Sequence, residues 1–243
     1  MQIIKLSATE STNTYLKELA SVKNLDDFTV VVTQKQTKGR GQMNGLWESE
    51  QGKNLTFSVL KKVKDLPVQD QFLISICVSL AVYNTLKALK IPDIRVKWPN
   101  DILSGNFKIC GILIENNISG FQITSSVIGI GLNVNQITFK NQPKAASLHL
   151  LLGEEIDLDE LLKAILNNLE CYLSNINASN WDRLVNEYHN ILFKKDVLAQ
   201  FVRENDSEFS GTIVGITRAG KLKISLKDGT IQEFNLKEVS LQY

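Results

Sequence analysis

The sequence predicts an α+β protein, with a larger mixed region followed by a small all-β region. Two observations carry this expectation. Up to about residue 193, β-branched runs such as Phe28–Val32 alternate with helical-period stretches such as Asp70–Leu89 and Asp157–Leu173. After Lys194-Lys195 the texture changes to short alternating runs: Val197–Phe201, Glu208–Ile216, Lys221–Leu226 and Ile231–Asn235. Ala219-Gly220 and Asp228-Gly229 supply turns between them. About 50 residues of strands and turns make a small β barrel that needs docking to be stable. The expected division is 1–193 and 194–243.

In chain order, Ile3–Leu6 reads as a short strand. Ser11-Thr12-Asn13 supplies capping side chains ahead of Tyr15, Leu16 and Leu19, and that helix ends near Ala20. The hydroxyls of Ser11 and Thr12 also stand at a strand-to-helix turn, where they can face a ligand; from local sequence the cap is the better reading. Phe28–Val32 is a buried strand, Gln34–Gly52 a long polar loop and Asn54–Leu60 a strand. Asp70–Leu89 sets Phe72, Ile76, Leu80, Tyr83 and Leu86 near helical spacing, as a core helix does. Pro99 lacks an N–H for a ladder, so the strand ending Ile94-Arg95-Val96 stops there. Ser104-Gly105-Asn106 turns Asp101–Glu115 into a hairpin, whose apolar arm Ile109–Ile114 expects cover on both faces. Phe121–Val134 is a further strand; its alternating Gly129 and Gly131 strip one face, leaving a groove or a bed for a helix. Gln136–Ala146 is irregular, Ser147-Leu148 opens a short helical segment, and Asp157–Leu173 and Trp181–Ile191 are helices.

Composition narrows the function. The chain has 243 residues, 43% hydrophobic and 22% charged, with net charge +1. That supports a sizeable core and gives no electrostatic case for nucleic acid or an anionic membrane. The longest mostly apolar stretch, Phe72–Tyr83, reads as too short to span a bilayer. Cys77, Cys110 and Cys171 are widely spaced and odd in number, which fits free thiols in a reducing cytoplasm. His149 and His189 lie far apart without metal-ligand spacing and read as structural.

Two stretches carry the chemistry. The long loop sets Gly39, Gly41 and Gly45 around Arg40. Glycines let successive N–H groups point at an anion and arginine adds a forked cation, although a G-x-G pair is also an ordinary flexible turn. The Gly-Lys-Ser/Thr ending of a P-loop is missing, and a strand rather than a helix follows. Trp47 closes the loop, as a lid or an anchor. The second stretch is Val96–Glu115, VKWPNDILSGNFKICGILIE. Lys108 enters an apolar run, so it either snorkels to solvent or meets an anion; from local sequence snorkelling is the better reading. Gly111 permits close approach by a ligand or another backbone.

Three separated motifs then agree. They are STN at 11–13; Q-x-x-G-R-G with a following Trp (Gln36, Gly39, Arg40, Gly41, Trp47); and KWPNDI (Lys97–Ile102) with K-x-x-G-I-L-x-E (Lys108–Glu115). With IGIGLNVN at 128–135 and ASL at 146–148, the chain resembles biotin protein ligases over nearly its whole length. KWPND together with K-x-x-GIL is the specific part. The resemblance implies a mixed β-sheet with flanking helices, of the class II aminoacyl-tRNA synthetase-like or biotin–lipoate ligase kind, plus an SH3-like barrel. It implies a two-step reaction. Biotin's carboxylate attacks the α-phosphate of ATP with Mg²⁺, giving biotinyl-5′-AMP and pyrophosphate. A lysine of a biotin carboxyl carrier protein or carboxylase domain then attacks the mixed anhydride.

The resemblance also implies roles. Lys108 and Arg40 would be catalytic, offsetting a repulsion of roughly 4 kcal/mol between carboxylate and phosphate at about 4 Å and effective ε near 20. Ser11, Thr12, Asn13, Gln36, Gly39, Arg40, Trp47, Lys108, Gly111, Gly129 and Gly131 would bind biotin. Its urea group needs partners, because each buried unpaired polar group costs about 1–3 kcal/mol. Arg40, Gly41, Gln42, Trp47, Lys97, Asn100 and Asn133 would bind ATP, and Asp101 would hold the metal. Relatives with G-R-G-R carry an arginine where this chain has Gln42, and Met43 is unusual for an anion loop. One fewer cation predicts faster loss of biotinyl-AMP than from a G-R-G-R relative, checked by the release rate. The chain starts at the first catalytic strand, which suggests a ligase without the N-terminal DNA-binding domain of bifunctional relatives. A homodimer through sheet edges is a further expectation. The rivals are a lipoate or octanoate ligase or transferase of the same fold, a DNA-binding repressor, and a non-catalytic biotin binder. The first leaves Ser11, Thr12 and Gln36 without a urea to meet; the intact Lys108 argues against the last.

Overall fold

The computed structural model describes residues 1–243 apart from 43, 44, 141 and 175, so the expectation attached to Met43 lies outside the described residues. Seven strands form one mixed sheet. They are β1 (Ile3–Leu6), β2 (Thr29–Thr33), β3 (Leu55–Pro67), β4 (Ile94–Lys97), β5 (Asp101–Ser104), β6 (Phe107–Ser119) and β7 (Gln122–Leu132). Their order is β1-β2-β3-β7-β6-β5-β4. β1 and β2 are parallel and the other neighbours antiparallel. The turn predicted at Ser104-Gly105-Asn106 joins β5 to β6, with Gly105 at φ 56°, in the left-handed region that favours glycine.

The two faces of the sheet are covered differently. On one face lie α2 (Phe72–Ala88), α4 (Leu158–Leu173) and α5 (Trp181–Ile191). They bury Phe57, Val59, Ile112, Ile128 and Ile130 in the main core. Each such side chain contributes about 1.5–3 kcal/mol. On the other face lies α1 (Thr12–Val22), whose Leu16 packs with Val31, Leu60 and Val127. The short α3 (Leu148–Leu152) is capped by the Ser147 hydroxyl, which accepts from the Leu150 N–H. The 21-residue helical run Val68–Ala88 corrects the expectation that the apolar stretch is too short: by length and composition it is enough to cross a membrane, with mean hydropathy 1.3. It is the central core helix, and 61% of its most apolar window is buried inside the protein.

The C-terminal strands β8 (Leu198–Arg203), β9 (Glu208–Ile216), β10 (Leu222–Leu226), β11 (Ile231–Phe234) and β12 (Val239–Gln242) form a separate antiparallel sheet, ordered β11-β10-β9-β8-β12. β12 was not expected from the sequence. The sheet docks through specific contacts. Trp98 Nε1 donates to the Gly220 carbonyl at 2.8 Å, and Arg218 reaches the buried Asp70 at 3.2 Å. Gly220 has φ +85°, and a Cβ there would lie 2.3 Å from the Phe72 ring. β3 also outruns its prediction, continuing through the charged KKVKD segment to Pro67 with a register shift between Lys62 and Leu66.

Candidate active site

Register builds the floor of a cavity on the α1 face. Strand residues two apart share a face. One row across the sheet reads Thr56, Gly131, Gly111, Asp101; the next reads Ser58, Gly129, Leu113; the third Leu60, Val127, Glu115. The three glycines leave bare backbone between the polar side chains. The cavity above this floor measures about 210 Å³, below the roughly 300–1,000 Å³ of small-molecule pockets. The Trp47 indole occupies space directly over the floor. A Cβ on Gly131 would lie 2.3 Å from its ring, and one on Gly111 3.1 Å.

At the α1 end the polar groups are mutually satisfied. Thr12 donates from its N–H (2.9 Å) and its hydroxyl (3.2 Å) to Gln36 Oε1. Ser58 Oγ lies 2.7 Å from Thr12 Oγ1 and 2.6 Å from Asn13 Oδ1. Asn13 Nδ2 donates to Glu115 at 2.8 Å and to the Leu113 carbonyl at 3.3 Å. Ser11, Thr12, Asn13 and Ser58 are all buried. Gly129 is required here, because its Cβ would lie 2.3 Å from Asn13 Oδ1. At α1 the Ser11 side chain makes no capping hydrogen bond, so the capping reading does not describe it.

The loop folds back over the floor as a small hairpin. The Trp47 N–H donates to the Gly39 carbonyl at 3.0 Å, and Gly41 to Gly45 at 2.6 Å. Arg40 turns to Glu115, 3.0 Å away, which also binds Lys17 at 3.0 Å. Burial works to raise the Glu115 pKa, but hydrogen bonds from Asn13 and Lys17 and the charges of Arg40 and Lys17 outweigh it and hold the carboxyl below the usual glutamate range.

At the other end, a bulge between Ile102 and Leu103 re-aims Lys108 over Gly111. Its Nζ lies 2.6 Å from Asp101 Oδ1, an ion pair rather than a well-directed hydrogen bond, and 5.7 Å from the Trp47 ring centroid. Only 36% of its side chain is exposed, so it meets an anion rather than snorkelling free. Trp47 Nε1 is buried without a hydrogen-bond partner and faces this cavity.

The cavity brings together most residues singled out from sequence: Ser11, Thr12, Asn13, Gln36, Arg40, Gly41, Gln42, Trp47, Asn100, Asp101, Lys108, Gly111, Gly129 and Gly131. Gly39 lies beneath the loop, its missing Cβ leaving room for the Trp47 carbonyl. Asn100 clamps β6, exchanging bonds with Ile112 at 2.8 and 2.9 Å. Asn133 is buried outside the cavity lining and donates to the Ala146 carbonyl at 3.0 Å. Lys97 lines a neighbouring cleft instead. Sequence reasoning missed Thr56, Ser58 and the role of Glu115, which only the strand register brings to the cavity. Among the described residues, no group of three or more metal-ligating side chains occurs.

Fold and cavity together define a class, and residues 6–134, just over half the chain, match it: the protein belongs to the Biotin/lipoate A/B protein ligase family. Among similar proteins, the bifunctional ligase/repressor BirA of Bacillus spizizenii is 36% identical over 160 residues, covering 64% of this chain and 49% of that protein. The biotin–[acetyl-CoA-carboxylase] ligase of Mycobacterium tuberculosis is 32% identical over 172 residues, covering 70% and 63%. The chain thus spans about half the length of the first of these relatives. The biotin protein ligase of Aquifex aeolicus, solved with biotin and ATP, superimposes with TM-score 0.80 at 25% identity, covering 99% of this chain and 98% of that one.

Proposed function

We propose that this protein activates biotin with ATP to biotinyl-5′-AMP and transfers the biotin to a lysine of a biotin carboxyl carrier protein or domain. One observation carries the reading: a satisfied polar ladder and a lysine stand at opposite ends of a single glycine-floored cavity. A urea has two donors and one acceptor, which Thr12, Asn13, Ser58 and Gln36 can match after small rotations. Lipoate and octanoate carry no urea to exchange for those bonds, so the polar ladder gives them no binding energy.

Lys108 then stands where biotin's carboxylate meets the α-phosphate. Exchanging Asp101 for two substrate anions draws the ammonium between them and offsets their repulsion. The carboxylate oxygen attacks the α-phosphorus, the bond to the β-bridging oxygen breaks, and pyrophosphate leaves with the electron pair. In the second step the acceptor amine attacks the acyl carbon and AMP leaves. Trp47 keeps water from the anhydride meanwhile, and its unpaired Nε1–H is a donor for the adenylate. Mg²⁺ would arrive on the nucleotide phosphates, the usual way this ion binds with few protein carboxylates. Asp101, once released by Lys108, would be the carboxylate to meet it.

The same reading divides the chain into a catalytic part, 1–193, and a docked barrel, 194–243. It sets the protein in the cytoplasm, acting on a carrier protein and pairing with a second copy through a sheet edge. The test is exchange of labelled pyrophosphate into ATP, run with biotin, lipoate and octanoate. Exchange with biotin alone is expected; exchange with lipoate and not biotin contradicts the reading.

A further inference from the structure

Lys17 belongs to none of the motifs above and stands outside the cavity lining, yet it shares a carboxylate with the loop arginine. It follows Asn13 by one helical turn on α1, so both side chains leave the same helix face. Leu16 packs this helix against Leu60 and Val127, and Glu115 is the next residue of that row across the sheet. Lys17 Nζ donates to Glu115 Oε1 at 3.0 Å. Asn13 Nδ2 donates to the other oxygen, Oε2, at 2.8 Å. Among the described residues, Arg40 takes the same carboxylate by one prong, Nη2 to Oε2 at 3.0 Å.

A guanidinium and a carboxylate make their strongest pair as a fork of two parallel N–H···O bonds. Here Lys17 occupies the oxygen that the second prong needs. The two cations also repel each other across the one carboxylate. Both effects leave Arg40 more weakly held than an unobstructed fork would hold it. Lys17 also makes departure cheaper. The Glu115 side chain is only 24% exposed, so a bare charge there is costly. When Arg40 leaves, Asn13 and Lys17 still serve both oxygens.

We propose that Lys17 is a positioning residue: by holding Glu115 Oε1 it keeps the Arg40–Glu115 pair single-pronged, so that Arg40 leaves readily for the nucleotide phosphate. This deepens the biotin-activation reading and rests on it for where Arg40 goes. Glu115 parks the arginine above the floor, and Lys17 sets how firmly. Without Lys17 the guanidinium closes on both oxygens, and ATP then binds against a tighter pair. Apparent affinity falls by the fraction of protein whose arginine is free to move. Lys17 touches none of the groups that meet the urea except through Glu115, so the effect falls on ATP and spares biotin. Solvent screens the pair, because Lys17 and Arg40 are 45% and 43% exposed, so the effect is modest.

The test follows single-turnover formation of biotinyl-AMP over a range of ATP and of biotin. In Lys17→Met the half-saturating ATP concentration is expected to rise about fivefold, with that for biotin within about twofold of wild type. Lys17→Arg, which keeps a cation on Oε1, is expected to stay within about twofold for both. In an Arg40→Gln background, Lys17→Met is expected to change neither value, because the residue acts through Arg40. A crystal structure of ligand-free Lys17→Met is expected to show Arg40 on both Glu115 oxygens. An unchanged ATP dependence in Lys17→Met, the same fivefold rise without Arg40, or Arg40 still on one oxygen overturns the proposal. The fork in Lys17→Met, together with no biotin-dependent adenylation by the wild type, counts against biotin activation and for the hold of Lys17 on Glu115.

Discussion

The two ends of the cavity are built on opposite terms. At the α1 end, Thr12, Asn13, Ser58 and Gln36 bond to one another and are largely buried. At the lysine end Lys108 is held by a removable partner, Asp101; Arg40, in the loop above the floor, is held in the same way by Glu115, whose strand position lies toward α1. A neutral urea is recognised by a fixed pattern of donors and acceptors, so preorganisation serves it. A reaction that gathers and releases negative charge needs cations that can change partners. The comparison explains why the charged groups are 14–43% exposed, whereas Thr12, Asn13 and Ser58 are at most 4% exposed.

Breaking the lysine end is expected to give the largest effect. Lys108→Ala removes an attraction of roughly 4 kcal/mol, so biotinyl-AMP formation falls about 1,000-fold. Single-turnover assays should show this with little change in the thermal midpoint, since the side chain is not in the core. At the α1 end, Gly129→Ala forces a methyl against Asn13 Oδ1, 2.3 Å away. The displaced amide loses two or three hydrogen bonds, and KM for biotin rises about 100-fold while KM for ATP stays within about twofold. Ser58→Ala is milder. It leaves Thr12 and Asn13 each one partner short, for about 1–2 kcal/mol of stability and a roughly tenfold rise in KM for biotin, read by denaturant titration and steady-state kinetics.

The smallest effect sharpens the comparison through pH. Because the Glu115 carboxyl is depressed in the folded protein, its stabilising contribution is present above the ordinary glutamate pKa and is lost as pH falls through the depressed folded value. The hairpin carrying Trp47 is therefore expected to loosen only on the acid side of the ordinary carboxylate titration. Trp47 emission, isolated in a variant with Trp98 and Trp181 replaced by Phe, reports it. In Glu115→Gln that step disappears, and the hairpin is loose at neutral pH.

Much of this was readable in the chain, for identifiable reasons. Helices with long apolar stripes, such as Leu158–Leu173, matched within a residue because packing and propensity agree there. Lys108, Gly111, Gly129 and Gly131 stood out because a cation or a bare backbone inside an apolar strand conflicts with local rules. Ser58 was illegible for the opposite reason: one hydroxyl inside LTFSVL looks like an ordinary strand residue until register sets it beside Gly129. The partner of Arg40 was hidden by distance, since Glu115 lies 75 positions away. The far half of β3 was hidden by composition, because KKVKD reads as a loop although its backbone continues the ladder.

The most direct test of the two-ended cavity is a crystal structure with a non-hydrolysable biotinyl adenylate. The account predicts that Lys108 leaves Asp101 and Arg40 leaves Glu115, both turning to the phosphate, while Thr12, Asn13, Ser58 and Gln36 keep their places and take up the urea. Arg40 still on Glu115 and Lys108 still on Asp101, with the α1 end rearranged around the ligand instead, would contradict it.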